Sequence, residues 1–124
     1  MPEQPHLYII IRPYDNIPKL KENVENFMSF IKNLYKYDDY AFEIDSIRKL
    51  PNSCLNKSKT RFRAEKILRF QNNNNKNKRV VVLGLTTKDI STSIHNTEDY
   101  GIIGLSYKPG NSCIVSTFRT GNKY

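Results

Sequence analysis

Few side chains in this 124-residue chain are of types that carry chemistry: two histidines, two cysteines and a dozen carboxylates. His95 with Glu98 and Asp99 is the nearest approach to a metal-ligating set. Three-ligand sites draw on ordered elements, and this trio falls in a predicted loop, so a solvated histidine is the expectation there. His6 stands alone near the N-terminus. Cys54 or Cys113 could join His95 as nucleophile and base only if folding brought them together. The two cysteines are too few and too far apart for a disulfide framework or a zinc cage, and they are read as free thiols. No G-x-G-x-x-G, G-x-x-x-x-G-K-[ST] or G-x-S-x-G occurs, so the common nucleotide-binding and hydrolase fingerprints are missing.

The charge is unevenly placed. Of 20 Lys and Arg, nine lie in residues 57–79 with Glu65 as the one acid there. The remainder holds eleven cations and eleven acids, so this segment carries the whole net charge of +8. Clustered cations beside Phe62 and Phe70 could neutralise phosphates and stack bases. Both rings fit core positions equally well, and no nucleic-acid reader motif accompanies them. The segment therefore reads as a solvated helix face followed by a loop, with a small basic nucleic-acid-binding protein as the alternative.

The elements that must position these groups suit one domain over residues 1–124. Residues 7–11 (LYIII) form a short β-branched run buried on both faces. Pro18 fits the first turn of a helix whose stripe of Leu20, Val24, Phe27, Met28 and Ile31 faces a core. Residues 40–50 alternate and stop at Pro51, a strand near an edge. Ser58 or Thr60 can cap a short helix reaching about Phe70, with Ala64, Ile67 and Leu68 inward. Residues 71–78 (QNNNNKNK) read as a flexible connection, and 79–85 (RVVVLGL) as a central strand. Residues 86–99 lack clear periodicity and read as a long loop. Two further strands, 100–107 and 112–118, are joined by a turn at 108–111. Helical crossovers make the first three strands parallel, and the hairpin reverses the fourth. The expected fold class is α/β (α+β): a mixed, twisted five-stranded sheet with two helices and the fourth strand at an edge.

Two stretches carry a family resemblance. Leu50-Pro51, followed by Arg61-Phe62-Arg63-Ala64-Glu65-Lys66-Ile67-Leu68, resembles the L-P…R-x-R…[LI]-L signature of the archaemetzincins, zinc metallopeptidases of the metzincin clan. Val82-Leu83-Gly84-Leu85-Thr86-x-x-Asp89-Ile90, residues 101–105, and Val115-Ser116-Thr117-Phe118-Arg119 resemble the next blocks of that family, especially its bacterial, Bacteroides-like branch. The blocks keep their order over roughly residues 7–119. Pro51, Arg61, Arg63, Ala64, Asp89 and Arg119 are the motif positions.

The resemblance implies a zincin-like sheet of order 2-1-3-5-4 with an antiparallel edge strand. Along that edge the substrate backbone is expected to pair with Gly101, Ile102, Ile103, Gly104, Leu105, Ser106 and Tyr107. In the family the zinc is held on the next helix by H-E-x-x-H-x-x-G-x-x-H, whose glutamate activates a bound water. Within the 124 residues no position matches that motif, so no catalytic or metal-binding residue carries over. The expectation is an N-terminal portion of a metallopeptidase domain, lacking the active-site helix and inactive alone, with no cofactor in this chain and zinc in the full-length family. Its partners would be peptide or protein substrates, not nucleic acid or membrane. Without a helix of its own to cover them, Val80, Val82, Ile114 and Val115 are expected to meet water and favour self-association, and the exposed edge could pair with another chain. No apolar run nears the roughly 18 residues of a membrane helix, and no secretory signal opens the chain, which favours the cytoplasm.

Overall fold

Apolar runs separated by helices pair in parallel, because each helix returns the chain to the same end of the sheet. The computed structural model, which describes residues 7–35, 40–72, 80–106 and 111–120, has this arrangement. Strand β1 (Leu7–Pro13) leads through helix α1 (Leu20–Tyr35) to strand β2 (Tyr40–Ile44). A 3-10 turn (Asn52–Cys54) and a two-residue strand β3 (Phe62–Arg63) precede helix α2 (Ala64–Asn72) and strand β4 (Val80–Thr86). Strands β5 (Ile90–Ile94), β6 (Thr97–Ile102), β7 (Gly104–Ser106) and β8 (Ser112–Ser116) complete the order. The main sheet runs β2-β1-β4-β8-β7, with every neighbour parallel except β7 against β8. This is the expected 2-1-3-5-4 order with an antiparallel edge strand.

Helix α2 shows why the core lies where it does. Ala64, Ile67, Leu68 and Gln71 recur at helical spacing and are all buried. Ala64, Ile67 and Leu68 meet Tyr14, Leu50, Cys54, Ile90 and Ile114 in a single cluster. At its far end, the Tyr14 hydroxyl donates to Gln71 Oε1 at 2.8 Å, and Gln71 Nε2 donates to Ser112 Oγ at 2.6 Å. That satisfies the polar groups that close the helix over β8. Burial pushes the Tyr14 phenol up to about 12.

The other face of the sheet is thinner. Helix α1 lies over β1 and β4, and Ile9, Ile11, Leu83 and Leu85 share an apolar cleft of about 280 Å³ with Leu20, Val24, Phe27 and Met28. Met28 is buried, but Phe27 is 61% exposed, so the stripe read as a core face is only partly covered. Cys113 and Val115 extend this face beyond the helix and are half-buried.

Several expectations need correction. Val82 and Ile114 do not meet water: they lie on the α2 face and are 2% and 0% exposed. The partly open strip is instead Val81, Leu83, Leu85, Cys113 and Val115, the alternate residues of the same strands. The second helix starts at Ala64 rather than beside Ser58 or Thr60, because Phe62 and Arg63 pair with Ile90 and Ser91. Residues 86–99 are not a loop. Strands β3, β5 and β6 form a second sheet, in which β5 and β6 turn through His95 and Asn96. The strand read over 100–107 is split, since β6 ends at Ile102 in the second sheet and β7 starts at Gly104 in the first. The second strand stops at Ile44, and Gln71 and Asn72 belong to α2. Residues 73–79, His6, Tyr107 and the turn positions 108–110 lie outside the described residues.

Candidate functional site

Five of the six motif positions gather around the second sheet. Asp89, just before β5, is the hub, and its side chain is 10% exposed. Arg61 Nε approaches Asp89 Oδ2 at 2.8 Å. Arg119, beyond the end of β8, donates from Nε to Oδ1 at 2.9 Å and from Nη2 to Oδ2 at 3.0 Å, a two-point pairing that fixes the guanidinium plane. The Asp89 carbonyl accepts the Phe62 N–H at 3.0 Å, so the same residue also anchors β3.

Arg63 is engaged on the neighbouring side. Its Nε donates to Glu65 Oε1 at 2.6 Å and its Nη2 to Ser93 Oγ at 2.9 Å, and it also binds the Glu98 carbonyl. Asp99 accepts from Ser91 and Asn56, and its carbonyl takes Arg61 Nη1 at 2.8 Å. The Ser91 hydroxyl holds the Asp99 carboxyl below the usual range; desolvation opposes it, while Asn56, Arg61 and Arg63 reinforce it. Burial raises Glu65, but its own backbone N–H, Thr92 and Arg63 outweigh it and leave the carboxyl lowered. Ala64 is completely buried at the first residue of α2 and belongs to the core cluster. Pro51 stands apart, opening the 3-10 turn and accepting the Cys54 N–H at 3.0 Å. The two arginines at the centre of the basic segment are thus spent on carboxylates rather than presented to a phosphate.

The cluster also touches β6, the strand that leads into the edge strand. The Arg119 guanidinium lies where a Cβ of residue 101 would be, so any larger residue there would have to displace it. Two residues on, the Ile103 carbonyl accepts the Ser116 N–H at 2.8 Å. Inward pairing at Ile103 repeats at Leu105, which sits opposite Ile114. The two-residue period of an antiparallel ladder therefore turns the backbone N–H and C=O of Gly104 and Ser106 outward. Among the described residues no strand pairs with that side of β7. Gly104 and Ser106 are exposed, Leu105 is half-buried against the core, and Ile103 is 52% exposed. Of the residues expected along the edge, Ile103, Gly104, Leu105 and Ser106 adjoin β8, whereas Gly101 and Ile102 pair with Ser91 and Ile90.

Among the described residues no group of three or more His, Cys, Asp or Glu is placed to hold a metal ion. His95 occupies the β5–β6 turn with φ 54°, and Cys54 and Cys113 are free. Nor is any helix among these residues long and apolar enough to cross a membrane.

No family profile matches the sequence, and no curated protein does. Solved structures do. The archaemetzincin from Methanopyrus kandleri superposes with a TM-score of 0.74 at 23% identity, over 99% of this chain and 64% of that one. The archaemetzincin from Archaeoglobus fulgidus, crystallised with malonate, gives 0.66 at 20% identity, over 94% of this chain and 65% of that one. The chain spans about two thirds of the length of these structures, and it has the archaemetzincin fold.

Proposed function

We propose that this chain is the N-terminal, substrate-holding portion of an archaemetzincin-like zinc metallopeptidase, and that it binds extended polypeptide along the free edge of β7. The observation that carries the reading is the outward-facing backbone of Gly104 and Ser106, on an edge strand that follows directly on β6, where Arg119 rests on Gly101. A peptide added as a sixth strand gains main-chain hydrogen bonds there whatever its sequence. In this reading hydrolysis depends on the family's zinc motif, which no position of the 124 residues matches, and the chain alone binds polypeptide without cleaving it.

The test is a titration with a capped peptide of alternating Thr and Val, compared with the same peptide N-methylated at alternate residues. The unmodified peptide binds; the N-methylated one, which lacks the donors, loses at least tenfold. Equal binding of the two would refute the edge reading, as would peptide cleavage by the isolated chain for the inactive part of the proposal.

A further inference from the structure

Gly104 leaves a gap in the side-chain surface at the open edge. It lies opposite Val115, so the side chain it lacks would stand on the face that carries Val115 and Cys113. A Cβ at Gly104 would be 3.4 Å from Val115 Cγ2 and 3.0 Å from the Ile114 carbonyl oxygen. The half-buried Val115 is thus bordered on its outer side by bare backbone. The opposite face is different, because there Leu105 packs into the core. One side of the edge is filled and the other is vacant.

A peptide paired antiparallel to β7 meets Gly104 in a hydrogen-bonded pair, since the Gly104 backbone faces outward. Directly opposed residues of such a pair place their side chains on the same face. With strands about 4.8 Å apart, a large flat side chain on the peptide can lie across Gly104 and reach Val115, as cross-strand aromatic residues cover glycines in other sheets. A peptide glycine or alanine at that position leaves Val115 bare.

The geometry points to Gly104 as a specificity-determining residue: the polypeptide bound along β7 carries a large apolar residue, aromatic by preference, opposite it. This rests on the reading of β7 as a polypeptide-binding edge.

The probe is a series of capped Thr-Glu-Thr-X-Thr-Glu-Thr peptides with X as Gly, Ala, Leu or Phe, whose glutamates suit a protein of net charge +8. They are titrated calorimetrically into the wild type, Gly104→Val and Val115→Ser. The Phe peptide binds the wild type about tenfold more tightly than the Gly peptide. In each variant the ratio of Phe-peptide to Gly-peptide affinity falls from about tenfold to about one. Val115→Ser carries the test by itself should Gly104→Val disturb the sheet, as near-ultraviolet circular dichroism would report. Equal wild-type affinity for the Gly and Phe peptides overturns the inference and leaves the edge reading standing. No binding of any of the four overturns both.

Discussion

Arg119 and Asp89 form a two-point ion pair, at 2.9 and 3.0 Å, in which the guanidinium rests on the bare backbone of Gly101. Three separate parts of the chain thereby meet at β6, which ends two residues before the edge strand begins. Asp89 also holds Arg61, so one carboxylate pairs with two cations.

Replacing that carboxylate should therefore cost more than replacing either arginine. Asp89→Asn is expected to lower stability by about 1–3 kcal/mol, because it leaves two arginines, each about a third exposed, without their anion. Arg119→Ala should cost about 1 kcal/mol, with water covering part of the loss. Urea unfolding of both variants checks the order, and an Asp89→Asn midpoint at or above that of Arg119→Ala contradicts it.

Gly101→Ala should act through Arg119. Its methyl group would occupy the guanidinium's place, so the ion pair must open. In a double-mutant cycle Gly101→Ala should add little once Arg119 is already alanine, a departure from additivity of about 1 kcal/mol. Fully additive effects would show that the contact is not what requires the glycine.

Part of this was legible in the sequence and part was not. Strand directions followed from the helical crossovers around α1 and α2 and from the late hairpin, because connection length forces parallel pairing, whereas the order 2-1-3-5-4 came from the family resemblance. The second sheet was missed although Ile90, Thr92, Ile94 and Thr97 are good strand formers. Its turn runs through His95 and Asn96, without the glycine that marks most tight hairpins, and His95 takes a positive φ there. The ion cluster was invisible for a different reason. Arg61 and Arg63 sit in a segment with one acid, and their other partners, Asp89, Glu98 and Asp99, are brought to them only by that unrecognised sheet.

The response to pH follows from the groups that shift. Asp99 and Glu65 are lowered in the fold, so the stability they contribute is present above their ordinary values of 3.8 and 4.5 and is lost as pH falls through the lower folded values. Tyr14 is raised to about 12, so its contribution is present below pH 10 and is lost as pH rises towards 12. Thermal unfolding between pH 2 and 12 should show both flanks. Asp99→Asn should flatten the acid flank, and an unchanged acid slope in that variant would exclude Asp99 as a source.

The two faces of β8 should answer differently to substitution. Ile114→Ala, on the α2 face, is expected to cost about 2–5 kcal/mol. Val115→Lys, on the partly open strip beside Leu85, should cost under about 1 kcal/mol, as urea unfolding of the two variants would show. A Val115→Lys cost equal to that of Ile114→Ala would contradict this assignment of the two faces.

The central claim, that polypeptide pairs with β7, is tested most directly by amide hydrogen exchange with the Phe peptide at saturation. The outward Gly104 and Ser106 N–H groups should become at least tenfold slower to exchange, while the Leu105 N–H, already facing β8, changes little. A peptide that binds without protecting Gly104 and Ser106 would contradict the account.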